Sequence, residues 1–233
     1  MQSTDPFGTT PGFDLESRIR ARGQVCGIEL TSAAVALLAN HARAVLRESS
    51  ELHLTSITDP SEFLERHLGE AFEGAAMMPT DFEGLLVDLG SGNGYPGIPI
   101  SAARPGLRVV LAEASHRHAG FLRSVIQACN LGSVSVLERQ VQRPSDLEGI
   151  EPIQVLTTRA MGGWPKIVPR LAACLAPDGQ ILAWAGDEME QIAQRVTWRK
   201  LELQGRRALP GRERSWVWRF RTQTGLSASR HAD

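Results

Sequence analysis

Residues 85–97 read LLVDLGSGNGYPG. The apolar run Leu85–Leu89, which includes Asp88, is typical of a buried parallel strand. Three glycines follow at alternate positions, namely Gly90, Gly92 and Gly94. Because glycine has no β-carbon, such a loop can turn tightly and let a ligand approach its backbone. The order of strand, acidic residue and glycine loop predicts a nucleotide-cofactor site at the carboxyl end of a strand in an α/β sheet.

The spacing of the glycines distinguishes between cofactors. A dinucleotide loop usually reads G-x-G-x-x-G, whereas this chain has G-x-G-x-G. Nineteen residues after Gly94, Glu113 ends a second apolar run, LRVVLAE, where a carboxylate can accept both ribose hydroxyls. This arrangement predicts an S-adenosylmethionine site. A simple tight turn and a nicotinamide dinucleotide site are the alternatives that the pattern leaves open.

The predicted cofactor contacts comprise the loop and the end of the second strand: Asp88, Gly90, Ser91, Gly92, Gly94, Tyr95, Glu113 and Ala114. We expect Asp88 and the glycines to bind the methionine part and Glu113 to bind the ribose. No metal site is predicted, because Cys26, Cys129 and Cys174 lie in separate helical patterns. These three cysteines are expected to be reduced, buried thiols.

Length and composition favour one globular core with an extension. The chain has 233 residues, of which 42% are hydrophobic and 22% charged. No apolar run approaches the ~20 residues that a membrane helix needs. The first residues contain neither a basic start nor an apolar segment, so we expect a cytoplasmic protein without a membrane partner.

The pattern of residues divides the chain into four parts. Residues 1–13 and 223–233 are polar and are expected to be disordered tails. Residues 14–73 read as a helical cap, and residues 74–222 as the cofactor-binding core. In the core, short apolar runs alternate with helical patterns, which favours βαβ units and a parallel sheet.

The predicted elements of the core lie close together along the chain. The predicted strands are 85–89, 107–112, 134–138, 153–157 and 180–184, and the predicted helices are 97–104, 116–130, 163–175 and 187–197. A final pair of strands, around 200–208 and 215–221, is expected to form an antiparallel hairpin at the sheet edge. In the cap, Thr31 is a predicted N-cap, and Asp59-Pro60 is a predicted helix start.

Charge is distributed unevenly. Residues 1–84 contain 13 acidic and 6 basic side chains, whereas residues 195–221 contain nine basic side chains against Glu202 and Glu213. The basic segment could contact phosphate. A solvated outer strand or helix face is the alternative interpretation.

The end of the fourth predicted strand indicates which kind of group could accept the methyl group. It reads Thr157-Thr158-Arg159-Ala160 and lacks both the Asn/Asp-Pro-Pro-aromatic loop of many amino-methyltransferases and a Pro-Cys nucleophile. A ring nitrogen such as guanine N7 has a free lone pair and needs no dedicated general base. Arg159 is therefore the candidate catalytic residue, positioning phosphate or a base edge. A structural salt bridge is the alternative role.

Three segments together resemble the glucose-inhibited division protein B family: LHLTSITDPSEFLERHLGEAF over residues 52–72, DLGSGNGYPGIP, and the pair Arg159-Ala160. The resemblance implies a class I methyltransferase, with a Rossmann-like seven-stranded α/β sheet and an N-terminal helical extension. It also implies S-adenosylmethionine-dependent methylation of guanine N7 in bacterial 16S ribosomal RNA. The expected partner is ribosomal RNA or a small ribosomal subunit precursor, and the expected oligomeric state is a monomer.

The resemblance also implies a set of substrate-binding residues: His53, Arg66, His67, Arg117 and Arg123. Three positions depart from the family pattern, because His53, Ala185 and His118 stand where the family usually has Asn, Lys and Arg. These departures lie on the acceptor side. A methyltransferase with a different RNA or small-molecule acceptor, and a non-catalytic S-adenosylmethionine-binding module, therefore stay open as alternatives.

Overall fold

The computed structural model describes residues 6–7, 12–150 and 152–222. Its strands are β1 (Gly84–Leu89), β2 (Leu107–Glu113), β3 (Val134–Glu138), β4 (Ile153–Arg159), β5 (Leu175–Gly186), β6 (Leu201–Ala208) and β7 (Ser215–Thr222). Its α-helices are α1 (Leu15–Val25), α2 (Ser32–Leu52), α3 (Pro60–Phe63), α4 (Glu70–Ala75), α5 (Gly97–Ala103), α6 (His116–Ala128), α7 (Trp164–Leu171) and α8 (Glu188–Ala193).

The seven strands form one sheet in the order β3-β2-β1-β4-β5-β7-β6. The first five are parallel, and β7 pairs antiparallel with both β5 and β6. The predicted seven-stranded α/β fold and its terminal hairpin are thus confirmed. Strands β1 and β4 are neighbours at the centre, where the strand order reverses. Open α/β sheets bind ligands in the crevice beyond the carboxyl ends of such strands.

Two core helices end at least four residues before their predicted ends. The predicted helix 163–175 ends as α-helix at Leu171 and continues as a 3₁₀ turn over Ala172–Cys174. The predicted helix 187–197 becomes α8 followed by a 3₁₀ turn over Val196–Trp198. In the first case Pro169 lies inside the helix. A proline cannot donate a backbone hydrogen bond, so the ladder is already interrupted near that end.

The cap begins its helices where the sequence predicts. Thr31 Oγ1 accepts a hydrogen bond from Ala34 N, and Asp59 Oδ1 accepts one from Glu62 N, so both residues are N-caps. Helices α3 and α4 are the two ends of one continuous helix, because residues Leu64–Gly69 between them form a π-helical segment. Short π-helical insertions are frequent at functional sites.

The cap and one face of the sheet share a single apolar core. Leu38 and Phe63 of the cap belong to the same buried cluster as Leu86 and Leu182 of the sheet. A second cluster on the other face includes Val168 of α7 and Met189 of α8. The predicted boundary between residues 73 and 74 falls inside α4, which continues through Gly74 to Ala75.

The amino-terminal segment contains one buried aromatic side chain. Phe7 is 1% exposed, and its ring centroid lies 5.9 Å from that of Phe13 and 5.6 Å from that of Phe63. The prediction of a disordered tail is therefore wrong at Phe7, whose apolar ring outweighs the polar residues around it. The part of that prediction for residues 1–5, 8–11 and 223–233 lies outside the described residues.

Among the described residues, no helix is long and apolar enough to cross a membrane. The same residues contain no group of three or more His, Cys, Asp or Glu side chains that could hold a metal ion. The three cysteines are free thiols. Cys26 is buried as predicted, whereas Cys129 and Cys174 are half-buried.

Candidate active site

Asp88 lies beneath the glycine loop at the end of β1. Its carboxylate is 0% exposed, and it accepts hydrogen bonds from Thr157 Oγ1 at 2.6 Å and from Gly97 N at 3.3 Å. Burial raises the pKa of Asp88 to about 6, against the hydrogen bonds that lower it. The predicted contact between Asp88 and the methionine part of the cofactor stays a prediction. The Asp88 side chain joins β1 to β4 and to the start of α5, and so fixes both ends of the loop.

The glycines of the loop all have positive φ angles, +67° at Gly90, +54° at Gly92 and +90° at Gly94. A β-carbon at Gly94 would lie 2.6 Å from Ile98 Cδ1, inside the protein. At Gly92 the nearest neighbour of a β-carbon is a backbone oxygen at 3.9 Å, so this position borders open space. Ser91 is 2% exposed and donates to the Asp88 carbonyl, which makes it an internal brace rather than the predicted contact.

Glu113 closes the loop from the end of β2. Its Oε2 accepts from Gly92 N at 2.8 Å, and its Oε1 accepts from Ser115 N at 2.8 Å. Each carboxylate oxygen keeps a second lone pair that can accept from a ribose hydroxyl. Glu113, Gly90 and Ala114 line a cavity of about 310 Å³. The size of this cavity, the glycine backbone in its wall and the Glu113 carboxylate therefore fit the adenosine end of S-adenosylmethionine, which these residues would hold.

The second half of the loop packs against the cap. The Tyr95 ring lies between the rings of His41 and His67, with centroid distances of 4.5 and 4.8 Å. Next to it, Asn93 Nδ2 donates to the Leu54 carbonyl at 3.0 Å. The Tyr95 side chain is 2% exposed and anchors the cap. We predicted a cofactor contact for Tyr95, but this residue does not line the cofactor cavity.

A second cavity, of about 490 Å³, opens beyond the carboxyl ends of β4 and β5. Its walls include Arg66, His67 and Arg159, which the sequence predicts, and it adjoins the first cavity because Met161 lines both. A group bound here would lie next to a cofactor bound beside Gly90. We call the first cavity the cofactor cavity and the second the acceptor cavity.

His67 holds Arg159 in place. Its Nδ1 lies 3.1 Å from Arg159 Nη2, and its Nε2 lies 3.0 Å from Thr55 Oγ1. Because a guanidinium only donates, Nδ1 accepts and Nε2 carries the proton that is donated to Thr55. Burial first, and then the charge of Arg159, lower the pKa of His67 to about 2. The imidazole is therefore neutral and acts as a fixed acceptor.

Three guanidinium groups surround the buried carboxylate of Glu70. Nitrogen atoms of Arg212, Arg66 and Arg159 lie 2.7, 3.3 and 3.5 Å from its oxygens. Burial raises the pKa of Glu70 although the three arginines oppose that shift. Three cations against one carboxylate leave a surplus of positive charge, which suits phosphate recognition. Arg159 thus makes a structural ion pair and also borders the acceptor cavity.

His53, Arg117 and Arg123 do not line either cavity. His53 is the exposed C-cap of α2, while Arg117 donates to the Glu51 carbonyl and Arg123 pairs with Glu138 at 2.6 Å. The structure does not bring these three predicted residues to the acceptor cavity. Similarity to a motif gives a position in the chain but not the direction of a side chain on a surface helix.

Several residues that line the acceptor cavity were not predicted as site residues: Glu70, Met161, Trp184 and Glu188. Glu70 carried a usable signal, because it follows Arg66 by four residues on one helical face. Trp184 Nε1 donates to the Glu70 carbonyl at 3.0 Å, a contact between β5 and the cap. Such contacts join residues more than a hundred positions apart and leave no local pattern.

The arginines of the carboxyl-terminal hairpin compensate acidic residues elsewhere. Ion pairs link Arg206 to Glu190, Arg207 to Glu73, Arg212 to Glu70 and Arg214 to Asp187. Two of these acids belong to the acidic first third of the chain. The contacts favour a structural role for Arg206, Arg207 and Arg214 over a free phosphate-binding surface, whereas Arg212 also borders the acceptor cavity.

His67→Gln is expected to flatten the acid side of the stability profile. A histidine whose pKa falls on folding stabilises the folded state above its unfolded pKa, and that contribution is lost as pH falls toward the folded value. Because folded His67 stays neutral down to about pH 2, it should make the unfolding free energy rise by about 1.4 kcal/mol per pH unit near pH 5. Urea titrations between about pH 4.5 and 5.5 measure this slope.

The control for this experiment is His53→Gln, at an exposed histidine. Equal slopes for the wild type and His67→Gln would show that His67 is already protonated in the folded protein. That result would contradict the neutral tautomer inferred from its two hydrogen bonds.

The fold and the two adjoining cavities define a class I S-adenosylmethionine-dependent methyltransferase. Residues 34–209 match the model of the family described as rRNA small subunit methyltransferase G. The chain belongs to this family. The predicted resemblance, fold class and cofactor are confirmed.

Individual relatives agree with this placement. The chain is 31% identical over 173 residues to ribosomal RNA small subunit methyltransferase G of Sorangium cellulosum, covering 74% of this chain and 72% of the relative. It is 38% identical over 140 residues to the protein of that name from Stenotrophomonas maltophilia strain K279a, covering 60% of this chain and 63% of the relative. The fold is also similar to the crystal structure of MtNAS in complex with MTA and tNA. There the TM-score is 0.58 at 18% identity, with 96% of this chain and 91% of the other covered.

Proposed function

We propose that this chain transfers a methyl group from S-adenosylmethionine to guanine N7 in bacterial 16S ribosomal RNA. The observation that carries the proposal is the position of Arg159, a guanidinium fixed by neutral His67 at the border of an acceptor cavity that adjoins the cofactor cavity. The relatives are named for methylation of small-subunit ribosomal RNA. The proposed substrate is that RNA or a precursor of the small subunit. We propose that the protein acts on it as a monomer in the cytoplasm.

When bound, the cofactor supplies an electrophilic methyl group on a sulfonium sulfur. The residues of the chain bind and orient the reactants around it. Glu113 and the glycine loop would hold the ribose and the methionine part, and Arg159, Arg66 and Arg212 would hold a phosphate or base edge of the acceptor. Guanine N7 has no proton to remove, so alignment supplies much of the rate.

A direct test is the identity of the product. Incubation of the protein with small ribosomal subunits and isotopically labelled S-adenosylmethionine, followed by nucleoside mass spectrometry, should yield labelled 7-methylguanosine. A label on an exocyclic amine, a ribose hydroxyl or a ring carbon would refute the N7 proposal while leaving the methyltransferase class intact. Transfer only to a small molecule would support the alternative acceptor that Ala185 and His53 leave open.

The pH profile of the chemical step is expected to be flat. N7 is unprotonated at neutral pH, and His67, with a pKa of about 2, does not titrate in this range. The single-turnover rate should therefore show no rising limb between about pH 7 and 9. Rapid-quench measurements with saturating cofactor test this. A tenfold rise per pH unit would indicate a general base and a protonated acceptor.

Glu113→Ala is expected to weaken S-adenosylmethionine binding by about 10- to 150-fold, because hydrogen bonds to an ionised group contribute ~1.5–3 kcal/mol. The side chain also holds Gly92 N and Ser115 N, so part of the loss comes from a looser loop. Calorimetric titration measures the Kd. Glu113→Gln is the matched variant, since it keeps the side-chain shape and removes the charge. An unchanged Kd in Glu113→Ala would place the ribose contact elsewhere.

A further inference from the structure

Two carboxylates line the acceptor cavity, and they differ in burial and in their charged neighbours. Glu70 is buried and surrounded by three arginines. Glu188, at the start of α8, is exposed and lines the same cavity. Within the described part of the chain, no cationic side chain lies at ion-pair distance from Glu188. Its Oε1 accepts a hydrogen bond from Gly186 N at 3.1 Å, and the carboxylate keeps lone pairs for a ligand.

The end of β5 is shaped to accept this carboxylate. A β-carbon at Gly186 would meet the Glu188 carboxyl group, so this side chain lies directly over the strand end. The preceding residue, Ala185, also lines the cavity and contributes neither charge nor bulk. Glu188 therefore presents an uncompensated negative group in a cavity whose other wall, around Glu70, is positive.

Glu188 lies on the side of the acceptor cavity that is distant from the cofactor cavity. Strand β5 is separated from β1 by β4 alone, and neighbouring strands are about 4.8 Å apart, so its end lies about 10 Å from the glycine loop. Met161 marks the cofactor side, because it lines both cavities. A flat base placed between Met161 and Glu188 would thus turn one edge toward the cofactor and another toward the carboxylate.

Guanine has the matching edges. Its N7 and O6 are acceptors, while its Watson–Crick edge carries the N1–H and N2–H donors side by side. A carboxylate can accept both donors, whereas the Watson–Crick edge of adenine presents the N1 lone pair, which would be repelled. Enzymes that modify a base commonly read its Watson–Crick edge in the pocket.

We propose that Glu188 is a specificity-determining residue that accepts the N1–H and N2–H groups of the acceptor guanine while N7 faces the cofactor cavity. This inference rests on the proposed function, because it requires a guanine acceptor. Under this proposal, Glu188 at the β5 side of the acceptor cavity selects guanine over other bases. The arginines around Glu70 would then hold phosphate.

The test combines a change in the protein with a change in the base. Small subunits are reconstituted with 16S rRNA that carries either guanine or inosine at the mapped methylation position. Inosine lacks only the N2 amino group. Single-turnover rates are measured for the wild type, Glu188→Ala and Glu188→Gln. Inosine should slow the wild type about 10- to 150-fold, the effect of losing a hydrogen bond to a charged group. In Glu188→Ala the two substrates should react at similar rates.

Controls separate this inference from the function on which it rests. Glu190→Gln, two residues further along α8 and paired with Arg206, should keep the full inosine penalty. The Kd for S-adenosylmethionine should be unchanged in both Glu188 variants. An equal inosine penalty in the wild type and Glu188→Ala, or no penalty in the wild type, would overturn the role of Glu188. Absence of 7-methylguanosine with the wild type and ordinary rRNA would instead refute the proposed function.

Discussion

Arg159→Ala should lower the single-turnover rate of methyl transfer about 100-fold or more, while the Kd for S-adenosylmethionine changes by no more than about twofold. The guanidinium borders the acceptor cavity and is aimed by His67, so its loss misplaces the acceptor without opening the cofactor cavity. Rapid-quench kinetics and calorimetry on the same preparation give the two quantities.

Two further variants show whether the loss is specific to the Arg159 guanidinium. Arg159→Lys keeps the charge but cannot donate to both His67 and Glu70 in the same planar arrangement, so it should restore little of the rate. Arg170→Ala, at an exposed arginine of α7, is the matched control for loss of a surface cation. A loss of cofactor affinity as large as the loss of rate would assign Arg159 a structural role only.

Gly92→Val should raise the Kd for S-adenosylmethionine more than about 100-fold. The residue has φ = +54°, where a branched side chain is strained by ~1–3 kcal/mol, and its β-carbon would project into the open space beside the loop. The loop would have to leave this conformation, and with it the hydrogen bond from Gly92 N to Glu113. Calorimetric titration of the folded variant measures the change.

Gly92→Ala and Gly120→Ala form the matched pair for this prediction. A β-carbon at Gly120, on α6, also meets open space, and the φ angle of Gly120 is not in the positive region. Only the Gly92 change should therefore affect binding. Near-normal affinity in Gly92→Val would show that the glycine loop does not contact the cofactor.

Most of the sheet could be predicted from the sequence, because its strands are short apolar runs separated by turn residues. The segment LRVVLAE is rich in β-branched and other apolar residues, which is typical of a strand. In WVWRFR, apolar and polar residues alternate, as expected for a strand of an edge hairpin. The insertion of β7 between β5 and β6 was not predicted in detail, since strand order depends on contacts between distant segments. The buried Phe7 was missed for the same reason: its partner Phe63 lies more than fifty residues away.

The site was predicted less completely, since a motif identifies residues but not their directions. Asp88 and Tyr95 belong to the glycine motif, yet one side chain holds the strands together and the other packs between two histidines. Arg159, the predicted catalytic residue, borders the acceptor cavity, but its surroundings depend on Glu70 and Arg212, which are distant from it and from each other in the chain. Such charge compensation becomes visible only when the cap and the hairpin meet.

The most direct test of the central claim is mass mapping of 16S rRNA from a bacterial strain that lacks this protein. We expect one 7-methylguanosine to be absent from that RNA, to return when the wild-type gene is supplied, and to stay absent when the Arg159→Ala variant is supplied at equal abundance. An unchanged set of 16S rRNA modifications in the strain without the protein would contradict the account.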